Sequence, residues 1–359
     1  MIILVVSDFH LGAGHFFKSG ENNIIEDFTE DERFIEFLEF YSSGKHYISD
    51  IHLVLNGDIL NLLQIEEYGV FSHIIDESTT ISSIKAIYNG HKELFTALKK
   101  FANSPNKEVT YIIGNHDASM AFENAQQFFK KIISSKIKFS NQLEIAGVHI
   151  EHGHRFEYIN SVPLFKQFIK GPNGKKILNL PWGSLFCIMV LPKLKKDRPL
   201  IDKVRPLNLY LKWLLLNDTF FFFKLIYYVL KYLWSTQFDI YTKQNRNFKL
   251  SLKVLKQITI YPKFGKMAKS ILNKNKKIHT VVMGHTHVKE WRKFPKSKYY
   301  FNTGTWNQIP TTDAALHGNL TNLTYCYLNV NVKTNILKEA GLYSWNGRWR
   351  PFNEDIKTV

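Results

Sequence analysis

Residues 1–10 read MIILVVSDFH, and the apolar run Ile2–Val6 within them decides how the fold begins. Five consecutive Ile, Leu and Val residues, ended by Ser7 and Asp8, are typical of a buried β-strand. The run is far shorter than the apolar part of a signal peptide, and no basic residue precedes it. We therefore expect a cytoplasmic chain whose first residues form an inner strand of a sheet.

Four further apolar runs share this feature, because each is followed at once by residues that carry oxygen or nitrogen ligands. They are 51–55 before Asn56-Gly57-Asp58, 109–113 before Gly114-Asn115-His116-Asp117, 148–150 before Glu151-His152-Gly153-His154, and 280–283 before Gly284-His285-Thr286-His287. Helical patterns lie between the first and second runs (24–41) and between the second and third (84–101). Alternating strands and helices predict an α/β fold. The carboxyl ends of its strands would bring all five polar clusters to one edge, where such sheets bind ligands.

The composition narrows the class of protein. Of the 359 residues, 45% are hydrophobic and 22% are charged, so the chain can bury a large core and wholesale disorder is excluded. Its two cysteines, Cys187 and Cys326, exclude a disulfide scaffold and a thiolate-ligated zinc site. The 47 Lys and Arg residues exceed the 31 Asp and Glu residues by 16, which indicates an anionic partner.

The positive charge is concentrated in residues 163–262. This stretch has 15 Lys, 3 Arg and 4 Asp but no Glu, so it contributes +14 of the net +16. It also contains the aromatic and aliphatic run Phe220–Trp234. We interpret it as a largely helical insertion in one core domain. The core is then formed by residues 1–162 and residues 263–359, the second part including a C-terminal tail.

Each polar cluster taken alone has an ordinary explanation. Asp8 could cap a turn, Asn115 could cap a helix, and His285 and His287 could be surface residues. The conjunction of five strand ends that all present Asp, Asn or His indicates instead one shared metal site. Carboxylate, imidazole and amide ligands without thiolate suit Mn²⁺, Fe or Zn²⁺.

The order of these motifs resembles that of the calcineurin-like metallophosphoesterases, over about residues 1–160 and 265–310. The resemblance implies a two-sheet α/β/β/α sandwich with two divalent metal ions, Mn²⁺ being our first choice and Fe or Zn²⁺ the alternatives. It implies that the first ion is held by Asp8, His10, Asp58 and His287. It implies that Asp58 bridges to a second ion held also by Asn115, His152 and His285.

Two such ions clamp the attacking and leaving oxygens of a displacement at phosphorus and generate a hydroxide nucleophile. We expect His116 to face the substrate phosphate as a catalytic residue, stabilising charge or protonating the leaving oxygen. Asp117 would orient the ring of His116 and keep it protonated, or cap a helix that begins near Ala118. His154 could line the site or lie in an exposed loop.

No Arg follows Gly57 and Asp58 closely, which argues against a protein phosphatase. The His152-Gly153 block, the Gly-His-Thr-His ending and the basic insertion are similar to those of UDP-2,3-diacylglucosamine hydrolases. This chain departs from that pattern at His116 and His154, where that family usually has Arg and Asp. The resemblance implies hydrolysis of a lipid-linked phosphodiester or pyrophosphate at the inner membrane face.

The insertion permits several interpretations. A transmembrane helix is excluded, because Phe220–Trp234 is shorter than about 20 residues and Lys224 and Lys231 interrupt it. A peripheral element that binds an anionic membrane fits its mixture of Lys, aromatic and aliphatic residues, and we favour it. An ordinary cap helix remains an alternative, as does a nucleic-acid surface of a nuclease or nucleotide phosphodiesterase. A catalytically dead scaffold is disfavoured, since every expected ligand is present.

Overall fold

The computed structural model describes residues 1–16, 20–66, 71–204, 207–242, 264–310, 319–321, 323–348 and 352–357. The last part of the predicted insertion, residues 243–262, lies outside the described residues. Within these ranges the chain forms 16 strands. In chain order, β1 to β16 are Ile2–Val6, Ile51–Asn56, Lys107–Ile112, Lys138–Ser140, Leu143–Ile145, Val148–Ile150, Phe168–Lys170, Lys176–Leu178, Thr280–Met283, Lys289–Phe294, Lys298–Thr303, Gln308–Pro310, Asn319–Thr321, Thr324–Asn331, Ile336–Trp345 and Phe352–Lys357.

The same ranges contain nine α-helices. In chain order, α1 to α9 are Asp31–Ser42, Glu77–Gly90, Lys92–Asn103, Glu123–Ile132, Trp182–Met189, Leu191–Lys195, Leu207–Asn217, Thr219–Phe238 and Phe264–Lys274. Helix α2 shows why such a helix begins where it does. The Asp76 carboxylate accepts a hydrogen bond from the Thr79 backbone N–H at 2.8 Å, and Thr79 Oγ1 accepts one from the Asp76 N–H. This capping box satisfies amide groups that the first turn leaves unpaired.

Two large sheets contain most of the strands. Seven strands form one sheet in the order β16-β15-β14-β1-β2-β3-β4, and five form the other in the order β10-β11-β9-β6-β5. Strands β1 to β4 are parallel, whereas β14 is antiparallel to β1. In the second sheet, β9 is parallel to β6 and β11. The strands predicted at 2–6, 148–150 and 280–283 are confirmed at those positions, and those at 51–55 and 109–113 within one or two residues.

The two sheets face each other across a shared apolar core. Ile3 and Val54 of the first sheet are buried in one cluster with Val148 and Phe301 of the second. Successive residues of a strand point to opposite faces, so Leu4 instead belongs to the cluster formed with helices α1 to α4. Helix α9 packs on the outer face of the second sheet. The predicted α/β/β/α sandwich is confirmed.

The helical pattern predicted across residues 84–101 forms two helices, α2 and α3, that meet at Gly90 and His91. A Cβ atom at Gly90 would lie 2.4 Å from the carbonyl oxygen of Ala13. The loop that follows β1 therefore packs directly against the end of α2. This close approach requires glycine, and the helix is interrupted there.

The described part of the insertion has its own apolar cluster. Trp182 and Leu185 of α5 are buried in it together with Leu63 and Ile75 of the core domain. Lys195 in α6 is fully buried and pairs with the Asp27 carboxylate of the core. The beginning of the insertion thus packs on the core as a cap. None of the helices in the described ranges combines the length and apolarity that crossing a bilayer would need.

Candidate metal centre and insertion surface

The ends of five strands from both sheets converge on one site. Asp8 follows β1, Asp58 follows β2 and Asn115 follows β3, all in the first sheet. His152 follows β6 and His285 follows β9, both in the second sheet. Because the two sheets pack face to face, their strand ends meet at a common edge. The predicted convergence of these side chains is observed.

Three side chains at the edge form a first group of potential ligands. Asp8, His10 and His287 offer ligand atoms that lie within 4.8 Å of one another. Asp8 Oδ1 lies 3.4 Å from His287 Nε2, and His10 Nε2 lies 3.1 Å from the same nitrogen. Ligand atoms lie about 2.0–2.2 Å from a zinc-sized ion, so neighbours around one ion are roughly 3–3.5 Å apart. The observed separations suit one shared ion.

A second group lies directly beside the first. Asp58, His152 and His285 offer ligand atoms within 4.8 Å of one another, and Asp58 Oδ2 lies 3.2 Å from His152 Nε2. Asp58 Oδ2 also lies 3.9 Å from His10 Nε2 of the first group. Asp58 is therefore placed between the two groups. This is the position that the bridging role predicted for it requires, and we keep that role as a proposal.

Within the part of the chain that the structure describes, four buried polar atoms of the predicted ligands have no hydrogen-bond partner. They are Asp8 Oδ1, Asn115 Oδ1, His152 Nε2 and His285 Nδ1. An unsatisfied buried polar atom costs about 1–3 kcal/mol, so four in one site indicate a group that would bind them. Carboxylate, amide and imidazole atoms together suit a divalent first-row metal ion. The residues present therefore fit a divalent metal.

The buried charges also favour a cation here. Burial raises the pKa of the Asp58 carboxyl, but the charges of His152 and His116 outweigh burial and hold this pKa well below its usual value. Burial lowers the pKa of His152, yet the carboxylates of Asp58 and Asp8 reverse that effect and raise this pKa to about 10. The carboxylates therefore stay ionised inside the protein, and positive charge must lie beside them.

Most of the predicted ligands have strained backbone conformations. Five of them have φ between 52° and 71°, in the left-handed region that non-glycine residues seldom adopt. They are Asp8, His10, Asp58, His285 and His287. Strain of this kind costs about 1–3 kcal/mol per residue and persists where the surrounding structure imposes it, commonly at functional sites. A Cβ atom at Gly114 would lie 2.2 Å from Asp58 Oδ1, so a glycine is also needed for the strand ends to approach.

Sequence reasoning missed the residues that orient His285. Its Nε2 atom lies 2.7 Å from Glu157 Oε2, and the Asn160 side chain donates to the same oxygen at 2.8 Å. This pairing leaves His285 Nδ1 as the atom available to an ion. Glu157 and Asn160 lie in a loop without apolar periodicity, so no sequence pattern indicated them.

The structure corrects the role predicted for Asp117. Its carboxylate accepts hydrogen bonds from the Tyr111 hydroxyl and the Gly114 N–H, both at 2.6 Å, and in the described residues the ring of His116 is hydrogen-bonded to Asn61 instead. Nor does it cap the short helix at Ala118, because no side-chain capping bond forms. Burial lowers the pKa of His116, and the contact to its Nδ1 comes from Asn61 Oδ1 at 3.1 Å. The ring is therefore oriented by an amide.

His154 lies beside the site and not in an exposed loop. Its ring centroid is 5.4 Å from that of His152, and it lines a cavity together with Asn115 and Asn160. Burial, with the charge of His152, lowers its pKa well below the usual value. A neutral imidazole thus forms part of the wall beside the second group.

The comparison with protein families agrees with this geometry. Residues 1–289 match the model described as calcineurin-like phosphoesterase, a range that includes every predicted ligand. The chain belongs to the calcineurin-like phosphoesterase family. It is therefore a metal-dependent hydrolase of phosphoric esters. The family match does not specify a substrate.

Other comparisons add little to this phosphoesterase assignment. No curated protein matches the chain. A dimetal phosphatase from Danio rerio is similar at 8% identity and TM-score 0.39, covering 99% of this chain and 98% of its own. A predicted phosphoesterase from Streptococcus pneumoniae is similar at 9% identity and TM-score 0.33, covering 99% and 95%. Because both TM-scores lie below 0.5, the two likenesses give no information about the function of this chain.

The insertion of this phosphoesterase exposes a stripe of large apolar side chains along α7 and α8. We name it the α7–α8 apolar face. It consists of Leu209, Trp213, Leu216, Phe220, Phe223, Tyr227, Leu230, Trp234 and Phe238, which are 52% to 83% exposed. On α8 these residues recur every three or four positions, so they form one side of the helix. A helix of a soluble protein normally turns such a stripe inward.

Proposed function

We propose that this calcineurin-like phosphoesterase hydrolyses a lipid-linked phosphodiester or pyrophosphate at the surface of an anionic membrane, at the cytoplasmic side. The α7–α8 apolar face is the observation that supports this choice among phosphoesters. Single exposed apolar residues are ordinary, but a continuous exposed stripe indicates a binding surface. Phe, Trp, Tyr and Leu beside Lys are the composition of helices that lie in a membrane interface.

In this proposal Asp8, His10, Asp58 and His287 hold one divalent ion, and Asp58 is shared with a second. Asn115, His152 and His285 hold that second ion. The ions supply Lewis-acid activation of the phosphoryl group and of water, with Mn²⁺ as our first choice and Fe or Zn²⁺ as alternatives. His116 faces the phosphoryl or leaving oxygen in this proposal and would donate a hydrogen bond to it when the ring is cationic.

The charge of the insertion supports an anionic surface as the partner. All four Asp residues of its described part are paired with basic groups: Asp197 with Lys224, Asp202 with Lys195, Asp218 with Arg198 and Asp239 with His73. Lys193, Lys196, Lys212 and Lys231 are exposed. The described insertion therefore presents lysines and apolar side chains outward while its carboxylates are paired with basic side chains. Each lysine that lies close to an anionic membrane surface contributes about 1 kcal/mol to the free energy of binding.

A chain of contacts connects this face to the metal centre. The Tyr232 hydroxyl of α8 donates to the carbonyl oxygen of Trp182 in α5 at 2.8 Å. The Gln64 side chain of the core in turn donates to the carbonyl oxygen of Cys187 in α5 at 3.0 Å. A lipid substrate held at the α7–α8 apolar face would thus be presented by helices that pack on the loop after β2.

Sedimentation with lipid vesicles tests the membrane part of the proposal. The wild-type protein should sediment with phosphatidylglycerol vesicles and much less with phosphatidylcholine vesicles. The double variant Phe223→Asp, Trp234→Asp should stay in the supernatant. The matched pair Ile48→Asp, Val332→Asp, which lies on the core domain and is also at least half exposed, should bind as the wild type does. Wild-type protein that remains soluble beside anionic vesicles would refute membrane binding.

Product analysis tests the substrate. The protein is incubated with Mn²⁺ and UDP-2,3-diacylglucosamine in detergent, and products are identified by mass spectrometry. Release of UMP and the lipid monophosphate, abolished by Asp58→Ala, would support the proposal. Intact lipid together with cleavage of single-stranded DNA or RNA would favour the alternative, a nuclease or nucleotide phosphodiesterase whose lysines bind phosphates.

A further inference from the structure

Three consecutive hydrogen bonds connect the candidate catalytic histidine to the insertion. His116 Nδ1 lies 3.1 Å from Asn61 Oδ1. The Asn61 amide nitrogen donates to Gln64 Oε1 at 2.9 Å, and the Gln64 amide nitrogen donates to the carbonyl oxygen of Cys187 in α5 at 3.0 Å. Asn61 and Gln64 are buried, with 1% and 4% of their surface exposed. Water therefore cannot replace these bonds easily.

The direction of each bond follows from the last one. A backbone carbonyl can only accept, so Gln64 must turn its NH₂ group toward Cys187 and its oxygen toward Asn61. Asn61 must then turn its own NH₂ group toward Gln64 and its oxygen toward His116. An amide oxygen can only accept, so the proton of this last bond must be on His116 Nδ1.

We infer that Asn61 and Gln64 are positioning residues that fix the tautomer of His116. The carbonyl of Cys187 in the insertion determines which end of each side-chain amide donates and which end accepts. With the proton on Nδ1, the Nε2 atom is the one that remains for the substrate. In the neutral ring Nε2 accepts a proton, and in the cationic ring it donates one. Either way the ring presents the same atom to the reaction.

Variants of Gln64 test this inference through a spectroscopic signature. Gln64→Leu removes both amide groups, which frees Asn61 to rotate and present its NH₂ group to His116. In the zinc-loaded protein with ¹⁵N-labelled histidine, the long-range ¹H–¹⁵N spectrum should show pure Nδ1–H for neutral His116 in the wild type. In Gln64→Leu it should show a mixture with Nε2–H. The signal of His116 is assigned by its loss in His116→Gln.

A second substitution should rescue the tautomer. A carboxylate can only accept, so in the double variant Gln64→Leu, Asn61→Asp the side chain at 61 cannot donate to the ring however it rotates. This protein should return to pure Nδ1–H. Gln64→Met removes the same polar atoms but has a more adaptable side chain, and it should shift the tautomer as Gln64→Leu does. The methionine variant therefore tests the inference even if the leucine variant fails to fold.

Gln126→Leu is the matched control, because the Gln126 side chain also donates to a backbone carbonyl, that of Met120 at 2.9 Å, and within the described ranges it is not hydrogen-bonded to a site residue. It should leave the tautomer unchanged. With bis(p-nitrophenyl) phosphate, Gln64→Leu should lower kcat about tenfold at constant KM, the usual size for loss of an orienting partner. A His116 that stays purely Nδ1–H in both Gln64 variants would overturn the inference.

The inference rests on the proposed role of His116 but not on the proposed lipid substrate. The spectra need no substrate, and the kinetic measurement uses a small soluble diester. A negative result with UDP-2,3-diacylglucosamine would therefore leave the tautomer measurement intact, and an unchanged tautomer would leave the lipid assay intact.

Discussion

The Nε2 atoms of His10 and His287 lie 3.1 Å apart, although 277 positions separate the two residues in the chain. Burial, together with the charge of His116, lowers the pKa of His10 well below its usual value, so that ring is neutral. Two imidazole nitrogens at this distance either share one proton or direct both lone pairs at a cation. With Asp8 Oδ1 only 3.4 Å from His287 Nε2, the second arrangement is the one that the site favours.

Asp58→Ala should remove both metal ions, because Asp58 is the carboxylate placed between the two groups of ligands. Turnover of a soluble diester should fall about 100-fold or more, since the ions supply several kcal/mol of transition-state stabilisation. Metal per chain, measured by plasma mass spectrometry after desalting, checks the first claim. Two ions retained per chain would show that Asp58 does not bridge.

His116→Ala should lower kcat by about 10²–10⁴, the range for loss of a general acid or base, and leave the metal content unchanged. The alternative is that His116 is itself a metal ligand, because His10, Asp58 and His116 also offer ligand atoms within 4.8 Å of one another. Metal analysis alongside kinetics distinguishes the two roles. An ion lost together with the ring would place His116 among the ligands.

Glu157→Gln should weaken binding of one ion by about tenfold, because the carboxylate that orients His285 loses its charge. Competition with a chromogenic chelator measures the affinity of each ion separately. Glu290→Gln is the matched control, since Glu290 pairs with Arg292 on the surface and not with a ligand. If the two variants bind metal with equal affinity, Glu157 does not support metal binding.

His91 should make stability depend on pH in the alkaline range. Burial lowers its pKa, but the hydrogen bond that the ring donates to the Asp31 carboxylate and the ion pair with Glu26 outweigh burial and raise this pKa from 6.5 to about 9. The proton is thus bound more tightly in the folded state. Its contribution, on the order of 3 kcal/mol, is fully present below pH 6.5 and lost as the pH rises to 9. Urea unfolding across this range should show the decline in wild type and a flatter profile in His91→Gln.

The sequence predicted an α/β fold because its inner strands are short, apolar runs that end in Gly or Asp, whereas the two-sheet sandwich was implied by the resemblance to the calcineurin-like metallophosphoesterases. Ile2–Val6 is such a run, and burial on both faces leaves no polar position in it. The convergence of Asp8, Asp58 and His152 followed from the same pattern, since strand ends in packed sheets must meet. Periodicity and order along the chain carry this information directly.

The supporting contacts could not be predicted in this way. Asp117 bonds to Tyr111 and Gly114 and not to its neighbour His116, because the turn after β3 directs the two side chains apart. Asn61 contacts His116 across 55 positions, and Glu157 contacts His285 across 128. Such pairs depend on loop conformations, which leave no regular trace in the order of residues.

Strand β1 lies between β2 and β14 in the first sheet. Strand β2 is the next strand along the chain, whereas β14 begins more than 300 residues after β1 ends. The ligand sets are divided in the same way, with Asp8 at one end and His287 at the other. During synthesis on the ribosome, an incomplete chain therefore exposes isolated carboxylates and imidazoles that bind metal weakly. On the proposed ligand assignment, tight metal binding requires that residue 287, and therefore most of the chain, has already been synthesised.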